Sequence, residues 1–166
     1  MLQNEFDVTA FFYNPNIHPE KEYQQRLIEM KTLMEKWRIP MITDNYDVDR
    51  WFDSVKGFER EAEGGKRCVI CYELRLLKTA QISCENRFDC FATTLSVSPH
   101  KKVDVINAIG KKLEKKYGVI FYDADFKKKD GFKISCQLSQ EEGLYRQHYC
   151  GCVFSQRDSK DRGKHD

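Results

Sequence analysis

The sequence contains no long apolar run and no large excess of charge of either sign. No stretch approaches the roughly 20 apolar residues that cross a bilayer, and residues 1–7 lack the basic and apolar blocks of a signal peptide. The 28 basic residues nearly balance the 26 acidic ones, so the net charge of +2 does not by itself indicate a polyanionic partner. These absences argue against a membrane protein or a secreted one, and we expect a cytoplasmic protein without a membrane partner.

The sequence also lacks internal repeats and any linker that would divide it. Its length of 166 residues is usual for one domain. A content of 40% hydrophobic and 33% charged residues is typical of a globular protein with a well-solvated surface. We therefore expect one α/β domain over residues 1–155, followed by a polar C-terminal tail over residues 156–166.

Strand and helix patterns alternate along the chain. Residues 8–13 are rich in β-branched and aromatic types, residues 20–37 have a helical apolar period, and residues 40–43 form a second short strand. A long crossover between two strands predicts a parallel sheet. Further helices are predicted over residues 68–82, 98–117 and 139–144, and further strands over residues 90–94 and 119–122. The sequence thus predicts a small, doubly wound α/β fold, Rossmann-like and HUP-like, with a mostly parallel sheet and flanking helices.

In doubly wound folds, ligands bind beyond the carboxyl ends of the strands. The segments predicted at that edge are residues 14–19, 93–99 and 123–130, and all three are rich in polar side chains. Loops are polar in most proteins, so this composition agrees with a site there without requiring one.

Seven cysteines are the most informative feature of the composition. A cytoplasmic protein keeps its thiols reduced, so structural disulfides do not explain them. Cys68 and Cys71 are three residues apart and share one helix face, where Lys66, Arg67 and the positive end of the helix favour thiolate. Cys150 and Cys152 flank a glycine, and in an extended segment their side chains point the same way.

Four sulfurs from two pairs can close one metal site, and we predict a redox metal centre of iron–sulfur type at Cys68, Cys71, Cys150 and Cys152. Two alternatives remain. Zinc binds thiolates equally well and would make the chain a non-enzymatic binding module, although 78 residues separate Cys71 from Cys150, far more than the roughly 15–20 of a compact zinc ribbon. A thiol oxidoreductase using Cys68 and Cys71 would leave the second pair idle. Cys84, Cys90 and Cys136 stand alone and are predicted to pack in the core.

Five sequence blocks, in order along the chain, resemble the signature blocks of the QueH-type epoxyqueuosine reductases. They are Tyr13-Asn-Pro-Asn-Ile-His-Pro19, Gly65-Lys-Arg-Cys-x-x-Cys71, Thr93-Thr-Leu-Ser-x-Ser-Pro99, Leu144-Tyr-Arg-Gln147 and Tyr149-Cys-Gly-Cys-Val-Phe-Ser155. The resemblance implies a cytosolic oxidoreductase of tRNA modification, which reduces epoxyqueuosine to queuosine at the wobble position and takes electrons from an unidentified donor.

The same resemblance implies the cofactors. It suggests a 4Fe-4S cluster with a second metal ion, such as iron, beside it, held by cysteine and aspartate, and the four paired cysteines match the motif positions. Asp125 or Asp123 is the candidate carboxylate, with Asp44 and Asp47 as alternatives. We rank Asp125 first among them.

Family members open with a strand and an adjacent cysteine pair, in a motif like Cys-Cys-x-Pro-Cys, whereas no cysteine precedes Cys68 here. Either the chain is an N-terminally shortened form or it is a divergent member, and of these we expect that it lacks a natural N-terminal segment. The expected consequences are an uncovered sheet edge beside residues 8–13 and a four-cysteine site that is open on one side.

Residues that precede the second cysteine pair are candidates for substrate contact. We predict that Tyr145, Arg146 and His148 line the same cavity as the cysteines, that Arg146 binds a phosphate, and that His148 or Tyr149 donates a proton. With Asp125 they form the predicted catalytic set. A basic surface for RNA phosphates is predicted from Lys111, Lys112, Lys115, Lys116 and Lys127–Lys129, although such runs are more often only solvated.

Overall fold

A computed structural model describes residues 5–126, 128, 130–145 and 147–162. In chain order the elements are β1 Ala10–Phe12, α1 Glu20–Lys36, β2 Met41–Thr43, α2 Val48–Val55, α3 Lys66–Glu85, β3 Cys90–Phe91, α4 Val103–Tyr117, β4 Ile120–Phe121, α5 Gly131–Glu141 and α6 Val153–Arg162. A 3₁₀ turn, Thr94–Val97, follows β3. The α/β class with parallel strands and flanking helices is confirmed. Within the described residues, the strands pair as β1 with β2 and β3 with β4.

The chain divides into two compact units. The first unit comprises Met1–Val48 and Tyr145–Asp166, and the second comprises Asp49–Leu144. The predicted boundary between domain and tail, at residue 156, falls inside α6. No helix in the described part of the chain has the length and apolar character needed to cross a membrane.

The first unit contains a β–α–β arrangement. β1 and β2 are parallel, with Ala10 opposite Met41 and Phe12 opposite Thr43. Phe12, Ile17 and Tyr23 are buried together, and Leu27 and Met30 of α1 pack against them. Tyr23, Leu27 and Met30 are spaced by four and three residues, which places them on one face of α1. This face covers the sheet and leaves the loop after β1 at the carboxyl edge of the strands.

The second unit has a larger core between α3, α4 and the strands β3 and β4. Buried side chains from all four elements form it, including Tyr72, Leu76, Phe91, Ile106 and Phe121. Gly110 permits the close approach of α4 to β4, because a Cβ there would lie 2.4 Å from the ring of Phe121. The parallel pairing of β3 with β4 places the segments after Phe91 and Phe121 at one edge.

Two predicted helix boundaries were wrong. The helix expected to begin at Ser98 and Pro99 begins at Val103. Thr93 is the reason, since its hydroxyl accepts the N–H of Leu95 and starts the 3₁₀ turn, which Ser98 terminates. The short helix predicted over residues 139–144 is α5, which begins eight residues earlier, at Gly131.

Candidate functional site

Cys68 and Cys71 lie in the first turns of α3, in the second unit. Cys68 is buried and Cys71 is half-buried. The N–H of Gly64 donates to Sγ of Cys68 at 3.2 Å. Gly64 has φ +86°, a left-handed conformation that favours glycine. Cys68 thus lies at the positive end of a helix and accepts a backbone N–H bond, and its thiol faces the loop that Gly64 ends.

Arg67 secures the loop in front of this helix. Its side chain is 1% exposed, and Nη1 donates to the carbonyl oxygens of Phe58, Glu59 and Glu61. The carboxylate of Glu61 in turn accepts the N–H of Lys66 at 3.2 Å, at the start of α3. Arg67 was predicted to favour a thiolate through its charge. Its three hydrogen bonds show in addition that it fixes the loop that presents Gly64.

Cys150 and Cys152 belong to the first unit. Cys152 is 5% exposed, and its Sγ accepts the N–H of Ser155 at 3.4 Å in the first turn of α6. The predicted extended conformation of this segment is wrong, because Gly151 has φ +114°. A Cβ at Gly151 would lie 2.8 Å from Cγ1 of Ile17. Glycine is therefore required here for contact with the loop after β1.

The second cysteine segment is attached to that loop by its backbone. The N–H of His18 donates to the carbonyl oxygen of Gly151 at 2.8 Å, and the hydroxyl of Tyr149 donates to the carbonyl oxygen of His18. The hydroxyl of Tyr46 donates to the carbonyl oxygen of Ile17. Two signature blocks that are more than a hundred residues apart thus meet at the carboxyl end of β1, where a ligand site is predicted in this fold class.

Burial changes the acid–base properties of this loop. His18 is 8% exposed, and desolvation lowers its pKa from 6.5 to about 4. Burial, with Glu20 nearby, raises the pKa of Tyr46 to about 12. His18 is therefore neutral and Tyr46 protonated at neutral pH, so Tyr46 remains a hydrogen-bond donor.

Arg26 of α1 was not identified from the sequence, although it contacts this segment through both terminal nitrogens. Its Nη1 and Nη2 donate to the carbonyl oxygens of Cys150 and Tyr149, each at 3.2 Å, and its guanidinium lies 5.4 Å from the centre of the Tyr149 ring. Glu22 binds the same guanidinium at 2.8 Å. In the sequence, Glu22 and Arg26 have the i, i+4 spacing of an ordinary surface ion pair, which gives no sign of these contacts.

A cavity of about 710 Å³ opens beside this ion pair, entirely within the first unit. Tyr145 lines it and donates its hydroxyl to Oε2 of Glu22 at 3.0 Å. Burial raises the pKa of both Tyr145 and Tyr149, and Glu22 contributes to each shift. The lining residues come from α1 and its N-cap, the segment before Cys150, and α6: Pro19, Lys21, Glu22, Gln25, Tyr145, His148, Tyr149 and Gln156.

Tyr145, His148 and Tyr149 therefore share one cavity, while their catalytic roles stay predictions. Arg146 lies outside the described residues. The predicted phosphate surface on α4 is exposed at Lys111, Lys112, Lys115 and Lys116, although Lys111 also binds Glu114 at 3.1 Å. Lys127 and Lys129 lie outside the described residues.

The candidate carboxylates are divided between the units. Asp125 is half-buried after β4 in the second unit, and its carbonyl oxygen accepts the N–H of Lys128 at 3.1 Å. Asp123 beside it is exposed. Asp44 and Asp47 follow β2 in the first unit, and Oδ1 of Asp44 accepts the N–H of Asn45 at 2.7 Å.

None of the seven cysteines, all of which are described, forms a disulfide. Among the described residues, three or more His, Cys, Asp or Glu side chains do not come together in a metal-binding group. Cys68 and Cys71 belong to one unit and Cys150 and Cys152 to the other, so their convergence on one metal stays a prediction. Cys84 is exposed, contrary to the predicted core position, because it lies near the end of α3. Cys90 and Cys136 are half-buried.

Comparison with known proteins gives one consistent result. A family model described as "Epoxyqueuosine reductase QueH" matches residues 1–158. Relatives with that same name are 44% identical over 154 residues in Histophilus somni, 41% over 160 in Acinetobacter baylyi and 37% over 159 in Thermotoga maritima. The matches cover 92%, 96% and 94% of this chain, and 63%, 73% and 83% of the respective relatives.

Proposed function

Because this chain belongs to the epoxyqueuosine reductase QueH family, we propose that it takes part in the reduction of epoxyqueuosine to queuosine at the wobble position of tRNA. The structural observation that supports this proposal is the attachment of the Tyr149–Ser155 block to the Tyr13–Pro19 block through His18 and Gly151. Two of the blocks that carry the resemblance thereby contact each other beside a cavity lined by polar and aromatic residues.

The proposed reaction removes the epoxide oxygen and leaves a carbon–carbon double bond. Both C–O bonds break, two electrons and two protons are consumed, and the oxygen leaves as water. The electrons come from a donor that has not been identified. The protein therefore has to hold a redox group, supply protons and exclude competing water.

The cysteines fit an iron–sulfur group by their chemistry. All four are free thiols, and Cys68 and Cys152 each accept a backbone N–H bond at the N-terminus of a helix, as the sulfur ligands of metal centres do. We propose that Cys68, Cys71, Cys150 and Cys152 hold a 4Fe-4S cluster and a neighbouring metal ion, with Asp125 as the carboxylate ligand. When bound, such a centre supplies electrons singly and a Lewis acid for the epoxide oxygen.

The chain's own residues would supply the protons. The raised pKa of Tyr145 keeps its phenol protonated at neutral pH, and its hydroxyl is held at the cavity wall by Glu22. His148 lines the same cavity and is exposed. The hydroxyl of Tyr149 is bound to the His18 carbonyl. Because the hydroxyls of Tyr145 and Tyr149 both already donate hydrogen bonds within the protein, we propose His148 as the proton donor.

The test is nucleoside analysis of tRNA from a strain that lacks its own epoxyqueuosine reductases. Expression of this chain should convert accumulated epoxyqueuosine to queuosine, and Cys68→Ser or Cys150→Ser should abolish the conversion. Cys84→Ser is the matched control, because Cys84 is exposed and does not belong to either closely spaced cysteine pair. Unchanged epoxyqueuosine in the presence of folded chain would contradict the proposal.

The cofactor is tested separately by anaerobic purification. An iron–sulfur centre gives brown protein that contains iron and sulfide and bleaches with dithionite, whereas zinc thiolate is colourless. Cys150→Ser should lower the iron content and Cys84→Ser should not. Colourless protein that contains stoichiometric zinc would support the zinc module instead.

A further inference from the structure

The cavity in the first unit combines groups that suit a nucleotide. Its volume of about 710 Å³ lies within the usual range for small-ligand sites. Among the side chains that line it are two phenol rings, one ammonium group and two amides, from Tyr145, Tyr149, Lys21, Gln25 and Gln156. Flat rings stack on bases and ammonium groups contact phosphates, so the lining offers both kinds of contact.

Tyr145 presents its ring in a fixed position. The residue is 41% exposed, yet its hydroxyl is bound to Glu22 at 3.0 Å, and Glu22 is bound to Arg26 at 2.8 Å. A ring that is tethered by its hydroxyl retains an accessible surface and loses little conformational entropy when a base stacks on it. Tyr149 is less suitable, because Arg26 covers one face of its ring.

Lys21 supplies the positive charge at this cavity. It lies in the first turn of α1, next to Glu22, and is exposed. The charge of Glu22 is compensated by Arg26, with which it forms a partly buried ion pair. Glu20 lies in the same turn, so Lys21 acts as one directed contact for an anion at the positive end of a 17-residue helix and not as part of a net positive patch.

The cavity lining contains no cysteine in the described part of the chain. The epoxide ring has to reach the group that the cysteines would hold, so we place it at the edge of this cavity, next to His148 and Tyr149, rather than between Lys21 and Tyr145. Tyr149 lines the cavity and precedes Cys150 directly. A nucleotide in the cavity is therefore adjacent in the RNA to the nucleotide that reacts.

We infer that this cavity binds one nucleotide flanking the reacting nucleoside, with its base stacked on Tyr145 and its phosphate beside Lys21. The inference rests on the proposed RNA substrate and deepens it by naming the residues that hold the flanking nucleotide. It assigns Tyr145 a stacking role that is independent of proton donation.

The experiment measures binding without chemistry. The probe is a fluorescein-labelled pentaribonucleotide with unmodified guanosine at its centre, and binding to the full chain is followed by anisotropy. Tyr145→Ala should weaken binding about tenfold, whereas Tyr145→Phe, which keeps the ring, should stay within about threefold. Free guanosine monophosphate should compete at least about tenfold less well than the unlabelled pentaribonucleotide.

The charge contact is tested through salt dependence. Lys21→Ala should reduce the slope of log Kd against log salt by about 0.7, the value for one phosphate contact on a single strand. Lys31→Ala is the matched control, since it removes the same charge from α1 about 15 Å farther along the helix. The slope of log Kd against log salt for Lys31→Ala should equal that of the wild type.

The inference would be overturned by no binding of the pentaribonucleotide, by wild-type affinity in Tyr145→Ala, or by equal slopes for Lys21→Ala and Lys31→Ala. Equal competition by guanosine monophosphate would indicate a free-nucleotide site and would also overturn it. Circular dichroism checks that each variant is folded. If Tyr145→Ala is not folded, the salt-dependence slope of Lys21→Ala decides the inference instead. Because the probe contains no epoxide and the assay no reductant, failure here is distinguishable from failure of the reductase assignment.

Discussion

The guanidinium of Arg26 donates a 3.2 Å hydrogen bond to the carbonyl oxygen of Cys150, which is 124 positions away in the chain. The same group binds Glu22 and the carbonyl oxygen of Tyr149. Helix α1 and the second cysteine segment are therefore joined by one side chain. Because the Arg26 side chain is only 11% exposed, its removal would leave Glu22 and two carbonyl groups without this donor in a partly buried setting.

Replacement of Arg26 by alanine should destabilise the protein by about 2–3 kcal/mol, since hydrogen bonds to charged groups contribute about 1.5–3 kcal/mol. Arg26→Lys should be intermediate, because one ammonium group does not reproduce the planar fork. Gln25→Ala is the control from the neighbouring position, where the side chain makes an exposed bond to Glu29. It should change the unfolding free energy in urea by less than about 0.5 kcal/mol. Equal effects at positions 25 and 26 would contradict this account.

Arg67→Met should release the loop before α3. Its buried guanidinium binds three carbonyl groups, and buried groups left without partners cost about 1–3 kcal/mol each, so we expect a loss of at least about 3 kcal/mol. Loss of the loop should also expose Cys68, whose labelling by a thiol reagent should become faster relative to Cys84. Arg60→Ala, at an exposed position in the same loop, should leave both measurements unchanged. Slow labelling of Cys68 in Arg67→Met would show that Arg67 does not secure the loop.

Gly151→Ala should separate the second cysteine segment from the loop after β1. The added Cβ would meet Ile17 at 2.8 Å and the backbone has φ +114°, so we expect a loss of more than about 2 kcal/mol in urea unfolding. Gly118→Ala is the control, because Gly118 has φ +70° but open space around it. Only the left-handed conformation is strained there, which costs about 1 kcal/mol. Similar losses in the two variants would mean that contact with Ile17 is unimportant.

Much of the local structure could be predicted from the sequence. The β1–α1–β2 unit and α3 follow from apolar periodicity, which acts over neighbouring residues. α2 was not predicted, although Val48, Trp51, Phe52 and Val55 have a helical period and Trp51 is fully buried. The helical period of these residues is visible in the sequence, but the polar residues between them make it less distinct.

The candidate site was only partly predictable, for a physical reason. Cys68, Cys71, Cys150 and Cys152 were predicted as site residues because closely spaced thiols have few structural explanations, and that assignment stays a prediction. The Arg26 contacts depend on packing between residues 26 and 149–150, and nothing in the local sequence around Arg26 indicates such a partner. The conformation of Gly151 likewise depends on Ile17, so the segment was predicted to be extended. Distant contacts of this kind are specified by the folded structure as a whole.

His18 should make the stability of the protein depend on pH below neutrality. Desolvation lowers its pKa from 6.5 to about 4, so between these values the unfolded chain binds a proton that the native protein does not. Stability from this residue is therefore fully present above pH 6.5 and is lost as the pH falls towards 4. The linkage relation gives a loss of about 2 kcal/mol between pH 7 and pH 5.

Urea unfolding at pH 7, 6 and 5 measures this loss. In His18→Gln the side chain does not titrate, so the pH dependence should be smaller than that of the wild type by about 2 kcal/mol over this interval. His100→Gln is the control, because His100 is exposed and its removal should leave the wild-type pH dependence intact. Parallel curves for wild type and His18→Gln would show that His18 is protonated in the native protein as readily as in the unfolded chain. In that case burial of the imidazole would not explain acid sensitivity, and the carboxylates of the first unit would be the next groups to test.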